Sequence, residues 1–341
     1  MRLLIVTQKV DREDENLGFF HGWIEEFAKH FSEVIVISQK TGSFHFPDNV
    51  KVFTFGGGES RLQRLWKFWE LFSRHYAESE GVFFHMIPEV VVAAGPFLLS
   101  LRKKTCLWYT HKSVTWKLKI AEKLVDFVFT ASPLSFRLPS KKVLYTGHAI
   151  DTTMFKPGLQ EESNQLRMVT VGRISPIKDY ERIIHACVLL NKNWDHAWKL
   201  SIVGGPLMPR DHEYLTRLKS LVKEHNLENL ITFEGPRAFT EIPQVYNNND
   251  MFLSMSTTGS IDKAVLEACA SGLVVVTSNE AFKDLLPSQY FVEKRSPEFL
   301  AERIKARAGN SKPVFELREL VEKKHSLHHT IKLISDVYTQ F

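Results

Sequence analysis

Short, wholly apolar runs alternate along this chain with longer stretches in which apolar residues recur every three or four positions. Arg2-Leu-Leu-Ile-Val-Thr-Gln8 leads into a polar loop, a helical pattern over about residues 20–31, and the run Val34-Ile-Val-Ile-Ser38. Continuous apolar runs of this length suit strands buried on both faces, and their alternation with helical periodicity predicts a βαβ unit with parallel strands. The rhythm restarts at Arg167-Met-Val-Thr-Val-Gly-Arg173. A helix is predicted over about 180–190, a strand at Trp198–Val203, a helix near 212–225 and a strand at Leu230–Phe233. The stretch 156–167 between the two series is polar, holds Pro157 and Gly158, and reads as a linker. The predicted fold class is therefore α/β: two doubly wound, Rossmann-like domains in series, residues 1–156 and 165–324, joined by a hinge.

Composition fits that division. At 341 residues and 44% hydrophobic content, each domain can bury a core of its own, and a charged fraction of 24% excludes global disorder. Cys106, Cys187 and Cys269 are far apart and show no metal-binding spacing, which suits a reduced compartment. Met1 runs directly into the first strand with no leader-like segment, and the longest apolar run, Val90–Leu101, is shorter than the roughly 20 residues that span a bilayer. The expectation is a cytoplasmic protein. The net charge of +5 lies wholly in the first 156 residues, and within them residues 59–142 carry twice as many basic as acidic side chains. Such a face either attracts a phosphorylated acceptor or the anionic surface of a membrane, or is simply solvated. Nucleic acid is not an expected partner, because no binding motif accompanies the charge.

Candidate chemistry follows from the strand ends, since open parallel sheets bind ligands beyond the carboxyl ends of their strands. The strand ending at Gly172 is followed by Arg173-Ile-Ser-Pro-Ile-Lys178. Two cations flanking a turn stiffened by Pro176 suit a diphosphate leaving group, although a pair of surface cations would look the same. The strand Met251–Ser254 leads into a small-residue loop containing Gly259, then a helix over about 261–271 stopped by Gly272, then the strand Leu273–Thr277. Backbone N–H groups and a helix start can approach an anion there. Glu267 lies one turn past Lys263; it either accepts hydrogen bonds from a ribose diol or forms a plain surface pair with that lysine. Phe55-Gly-Gly-Gly-Glu-Ser60 lacks the Gly-Lys-Ser/Thr ending of a phosphate loop. His325, His328 and His329 share helical spacing with no evident acidic or cysteine ligand, so no metal site is expected. Leu62–Phe72 is aromatic and basic, and reads either as an interfacial membrane helix or as packing.

The order of these motifs carries a resemblance. Val171-Gly-Arg-Ile-Ser-Pro-Ile-Lys178, Leu200-Ser-Ile-Val-Gly-Gly205, Phe233-Glu-Gly-Pro236, Asp250-Met-Phe-Leu-Ser254 and Leu266-Glu-Ala-Cys-Ala-Ser-Gly272 resemble, in order and spacing, the nucleotide-binding domain of retaining GT-B glycosyltransferases. Tyr145–Pro157 looks like the segment that precedes that domain, and Thr330–Tyr338 like the C-terminal helix, here 325–341, that crosses back to the first domain. The resemblance implies two domains facing across a cleft. It also implies metal-independent transfer of a hexose-type sugar, with retention, from a nucleotide sugar to a glycan or lipid-linked acceptor, without a cofactor. No Asp-x-Asp motif occurs in the chain. His111, Arg173 and Lys178 would take part in the chemistry. The donor would be bound by Gly18, Gly172, Arg173, Lys178, Gly204, Gly235, Arg237, Gly259, Ser260, Ile261, Asp262, Lys263 and Glu267. The two cations would hold the diphosphate, Glu267 the ribose, and Gly235 to Arg237 would border the base. Gly18 would line the cleft near the phosphates and His111 would stand close to the reacting sugar. The family usually carries two glutamates separated by seven residues; here Gly259 occupies the first position. Asp262 either supplies that carboxylate from a shifted position or caps the helix. The missing group also admits a catalytically silent relative that binds nucleotide sugars or regulates a partner.

Overall fold

The structure, a computed structural model, describes residues 1–57, 60–158, 163–309 and 313–339. Parts of the glycine-rich run 55–60, of the linker 156–167 and of the segment 325–341 lie outside the described residues. The chain forms two units. The first gathers Met1–Ala149, Ala238–Thr240 and the chain from Lys324 onward; the second holds Ile150–Arg237 and Glu241–Lys323.

The first unit is built on strands β1 (Arg2–Val10), β2 (Glu33–Thr41), β3 (Val50–Thr54), β4 (Gly81–His85), β5 (Lys104–Trp108), β6 (Phe127–Thr130) and β7 (Val143–Tyr145). All pair in parallel, in the order β3-β2-β1-β4-β5-β6-β7. Helices α1 (Phe19–Ala28), α2 (Arg61–Glu78), α3 (Pro88–Ser100) and α4 (Trp116–Leu124) connect them. Strand side chains alternate between the two faces. Leu4 and Val6 join a core with Phe68 and Phe72 of α2 and Leu118 of α4, while Phe83 meets Phe27 of α1 on the other face. A capping box fixes the start of α2, with Ser60 and Gln63 each accepting the other's backbone N–H.

The second unit contains β8 (Leu166–Val171), β9 (Trp198–Val203), β10 (Ile231–Gly235), β11 (Met251–Ser254) and β12 (Val274–Thr277). Their order is β10-β9-β8-β11-β12, again all parallel. The helices are α5 (Tyr180–Asn193), α6 (Pro209–Glu224), α7 (Ile242–Asn247), α8 (Lys263–Ala270), α9 (Pro297–Arg307) and α10 (Phe315–His325). The order reverses between β8 and β11, which pair only at Met251↔Met168 and Phe252↔Val169. Arg167 grips Asp250 through two side-chain bonds of 3.0 Å at the amino ends of these strands. The pair is closed at that end and diverges toward its carboxyl ends. Helix α8 stops as Gly272 predicts: its φ is +77°, and the N–H groups of Leu273 and Gly272 bond Ala268 and Cys269 in a Schellman motif. The last helix, α11 (Leu327–Thr339), packs on the first unit, where Tyr338 donates to the Val82 carbonyl at 2.8 Å.

Candidate functional site

Three glycines clear the carboxyl ends of three neighbouring strands in the second unit. Gly172 follows β8, Gly204 follows β9 and Gly235 ends β10, with φ of +147°, +136° and +78°. Gly204 donates to the Gly235 carbonyl at 2.8 Å, and Gly172 to that of Val203 at 3.0 Å. A Cβ on Gly204 would lie 2.1 Å from the Gly172 carbonyl oxygen, so no side chain fits there without parting the strand ends. Positive φ and close backbone approach are what glycine alone tolerates.

Charged groups gather beside this cleared edge. Lys178 lies in a 3-10 turn after β8 and reaches Asp262 Oδ2 at 2.6 Å, both side chains mostly buried. Asp262 is the N-cap of α8 but makes no capping bond with its side chain; the carboxylate goes to Lys178 instead. Glu267 is buried one turn further and accepts a hydrogen bond from Tyr246 at 3.2 Å. Burial pushes the Glu267 carboxyl up, to about 7, against the pull of Lys263 and Lys178; Asp262 adds to the rise. Burial pushes Lys263 down, to about 7, with Glu267 opposing. The surface-pair reading of Lys263 and Glu267 is thus corrected: the carboxylate and the ammonium are both inside. Arg173 is exposed at the same edge, and the buried Tyr180, whose hydroxyl bonds the Gly172 carbonyl at 2.8 Å, feels both Asp262 and Arg173. Lys178, Asp262 and Glu267 therefore converge, with Arg173 next to Gly172 at the same edge. Arg237, two residues past Gly235, pairs with Glu234 at 3.3 Å and lines a hollow with Arg167, Met168 and Lys199.

The loop between β11 and α8 is held by residues that sequence reasoning missed. Arg295 bonds the Met255 and Ser256 carbonyls and, at 3.1 Å, Asp179 beside Lys178. Thr257 donates its backbone N–H to the Ile177 carbonyl at 2.8 Å. Asn279, wholly buried after β12, donates to the Ser260 carbonyl at 2.9 Å and to Thr258 Oγ1 at 3.3 Å. Gly259 is buried within this loop at φ +63°, Ser260 is half-buried and Ile261 is buried. No local pattern flags Arg295 or Asn279, because their partners lie far off in sequence.

In the first unit Gly18 starts α1. A Cβ there would meet the Asp14 carbonyl oxygen at 2.6 Å. His111 follows β5, exposed, and its Nδ1 accepts the Ser113 N–H at 3.1 Å, which leaves the neutral ring protonated on Nε2. Partial burial and the charge of Lys112 hold its pKa below the usual histidine value. A second histidine was missed: buried His85 ends β4, 3.2 Å from Thr7, with its ring stacked on Phe20 at 3.9 Å. Helix α2 divides the aromatic and basic run, burying Phe68 and Phe72 while exposing Leu62 and Trp66. The expectation that no acidic group stands near His325, His328 and His329 is corrected, since His328 Nδ1 lies 2.8 Å from Glu26 Oε1. Among the described residues no helix is long and apolar enough to cross a membrane.

Comparison with known proteins gives these residues a context. Residues 151–320 match the family described as glycosyl transferases group 1. The putative colanic acid biosynthesis glycosyltransferase WcaL of Escherichia coli (strain K12) is 27% identical over 180 residues, 49% of this chain and 42% of that protein. The D-inositol 3-phosphate glycosyltransferase of Stackebrandtia nassauensis is 28% identical over 169 residues, 46% of this chain and 36% of that protein. This chain thus spans less than half the length of the curated relatives it matches. Among solved structures, HepE of Anabaena in complex with UDP and glucose superposes with a TM-score of 0.79 at 16% identity, covering 100% of both chains. Sucrose-phosphate synthase of Thermosynechococcus elongatus gives 0.76 at 15%, covering 100% of this chain and 99% of that one. These likenesses establish the fold as GT-B.

Proposed function

We infer the activity from one premise: this chain belongs to the glycosyl transferases group 1 family. It moves a hexose-type sugar from a nucleoside-diphosphate donor to a glycan or lipid-linked acceptor, with retention and without a metal. The observation that carries this reading is the convergence of Lys178, Asp262 and Glu267 beside strand ends cleared by Gly172 and Gly204. Arg173 and Lys178 hold the diphosphate and stabilise the charge that develops as it leaves. In the absence of donor Lys178 is neutralised by Asp262; a bound diphosphate takes over the lysine and turns Asp262 toward the sugar. Asp262 then supplies the carboxylate that Gly259 lacks. Glu267, oriented by Tyr246, accepts the ribose hydroxyls.

The acceptor hydroxyl attacks the anomeric carbon from the face that the diphosphate leaves. As the bond from that carbon to the phosphate oxygen breaks, the hydroxyl proton passes to the departing phosphate, so configuration is retained and atoms balance. The first unit, which carries His111 and Gly18, takes the acceptor. The protein acts in the cytoplasm and rests on anionic lipid. Exposed Leu62 and Trp66 of α2 and Trp116 of α4, set among basic residues, support that placement. Flotation with liposomes should show a preference for anionic over neutral lipid; equal flotation would remove the membrane from the account.

The test of the activity is release of nucleoside diphosphate from a panel of nucleotide sugars with glycan and lipid-linked acceptors. Release with one base and sugar supports the reading. Binding without release across the panel would make the protein a silent relative.

A further inference from the structure

Three possible metal ligands meet in the first unit, none of them assigned above to donor or acceptor. Glu26 lies on α1, His30 follows four residues later in the turn just past the end of that helix, and His328 comes from α11. Their ligand atoms all lie within 4.8 Å of one another. Glu26 Oε1 is 2.8 Å from His328 Nδ1 and 3.7 Å from His30 Nε2. The second distance is too long for a hydrogen bond, and His30 Nε2 is a buried atom with no hydrogen-bond partner. A buried polar atom left unsatisfied beside a carboxylate calls for an explanation.

The geometry points to a divalent transition-metal site, with zinc as the fitting ion, formed by Glu26 Oε1, His30 Nε2 and His328 Nδ1. Around a tetrahedral zinc with ligands at about 2.0–2.1 Å, neighbouring ligand atoms stand about 3.3–3.4 Å apart. Two of the separations, 2.8 and 3.7 Å, bracket that value and the third is at most 4.8 Å, so side-chain rotations can bring the three donors to one ion. Two imidazoles and a carboxylate are a borderline donor set that favours zinc over magnesium or calcium. The exposed side of His328 leaves the fourth position to water. Lys29 bonds the other oxygen, Glu26 Oε2, at 2.6 Å, but its side chain is 69% exposed and can swing into solvent as the ion enters. The ion would staple the final helix onto α1 and so stabilise the first unit by mass action.

Titrating the chelator-stripped full chain with zinc chloride in a calorimeter should show one ion per chain, and saturating zinc should raise the thermal midpoint. His30→Ala and His328→Ala should each weaken binding about tenfold or more, at least the loss seen when residues supporting a metal ligand are removed, and abolish the thermal shift. His329→Ala, an exposed neighbour, should leave both unchanged. Cobalt should give the visible absorption of a tetrahedral centre in the parent chain and lose it in His328→Ala, which alters an exposed residue and keeps the fold. Absence of stoichiometric binding, or binding retained in both histidine variants, would overturn the site.

Discussion

The two units share a doubly wound parallel design yet finish their carboxyl strand edges in opposite ways. In the first, the edge is filled by the protein's own rings. His85 stacks on Phe20, and Trp23 meets Trp108 edge-on at 4.9 Å. In the second, glycines end three adjacent strands, and cations and carboxylates take the space. A ring-filled edge is rigid and apolar, suited to shaping a surface. An edge of bare backbone and paired charge can exchange an internal ion pair for a ligand anion. The same topology thus yields a ring-packed edge in one unit and a glycine-cleared, charged edge in the other, and side-chain volume at a few strand ends decides which.

The largest expected effect separates stability from binding. Phe20→Ala, which removes a fully buried ring, should cost about 3–5 kcal/mol in denaturant unfolding of the first unit, while nucleotide-sugar affinity of the folded protein stays unchanged. A matching loss of affinity would break the comparison. Lys178→Ala should do the reverse, lowering turnover about 10²-fold or more, the scale of losing one charge-stabilising donor, with little change in stability. Gly204→Ala should combine both, because its Cβ would collide with the Gly172 carbonyl in a backbone conformation that side chains avoid. A loss of about 1–3 kcal/mol is expected in thermal melts, together with weaker donor binding.

The smallest effect is a pH dependence. Glu267 is pushed up to about 7 by burial. Between the ordinary carboxylate range and about 7, the folded chain therefore holds a proton at Glu267 that the unfolded chain has released. This group's contribution to stability is present at low pH and is lost as pH rises through about 7. Ribose binding runs the other way, since the diol donates to the ionised carboxylate. Affinity for a nucleotide sugar, whose diphosphate diester has no titrating group in this range, should rise about tenfold from pH 6 to pH 8. Glu267→Gln should flatten that slope, and a slope unchanged in the variant would remove Glu267 from the ribose.

The sequence displayed what is local and periodic. The strands Trp198–Val203 and Met251–Ser254 lie where the apolar runs place them, and Gly272 ends its helix as expected. Other boundaries moved by a few residues, as with α6 at Pro209–Glu224 rather than 212–225, because Pro209 opens the helix earlier than the apolar spacing suggests. The cations after β8 were legible because their motif is contiguous. Arg295 and Asn279 were not, since each acts across more than 15 residues of chain on a loop that no periodicity ties to it. At Asp262 the sequence left open a helix cap or a carboxylate supplied from a shifted position; the side chain makes no capping bond and pairs instead with Lys178, a partner that no local pattern marks. Glu26 escaped notice because it meets His328 only through the packing of the first and last helices.

Calorimetric titration of nucleotide sugars into the parent chain and into Lys178→Ala tests the central claim most directly. Saturable one-to-one binding that weakens about tenfold or more when a charge-assisted contact to the diphosphate is removed is the predicted result. Equal affinity in the two proteins, or no binding by the parent chain to any donor, would contradict it.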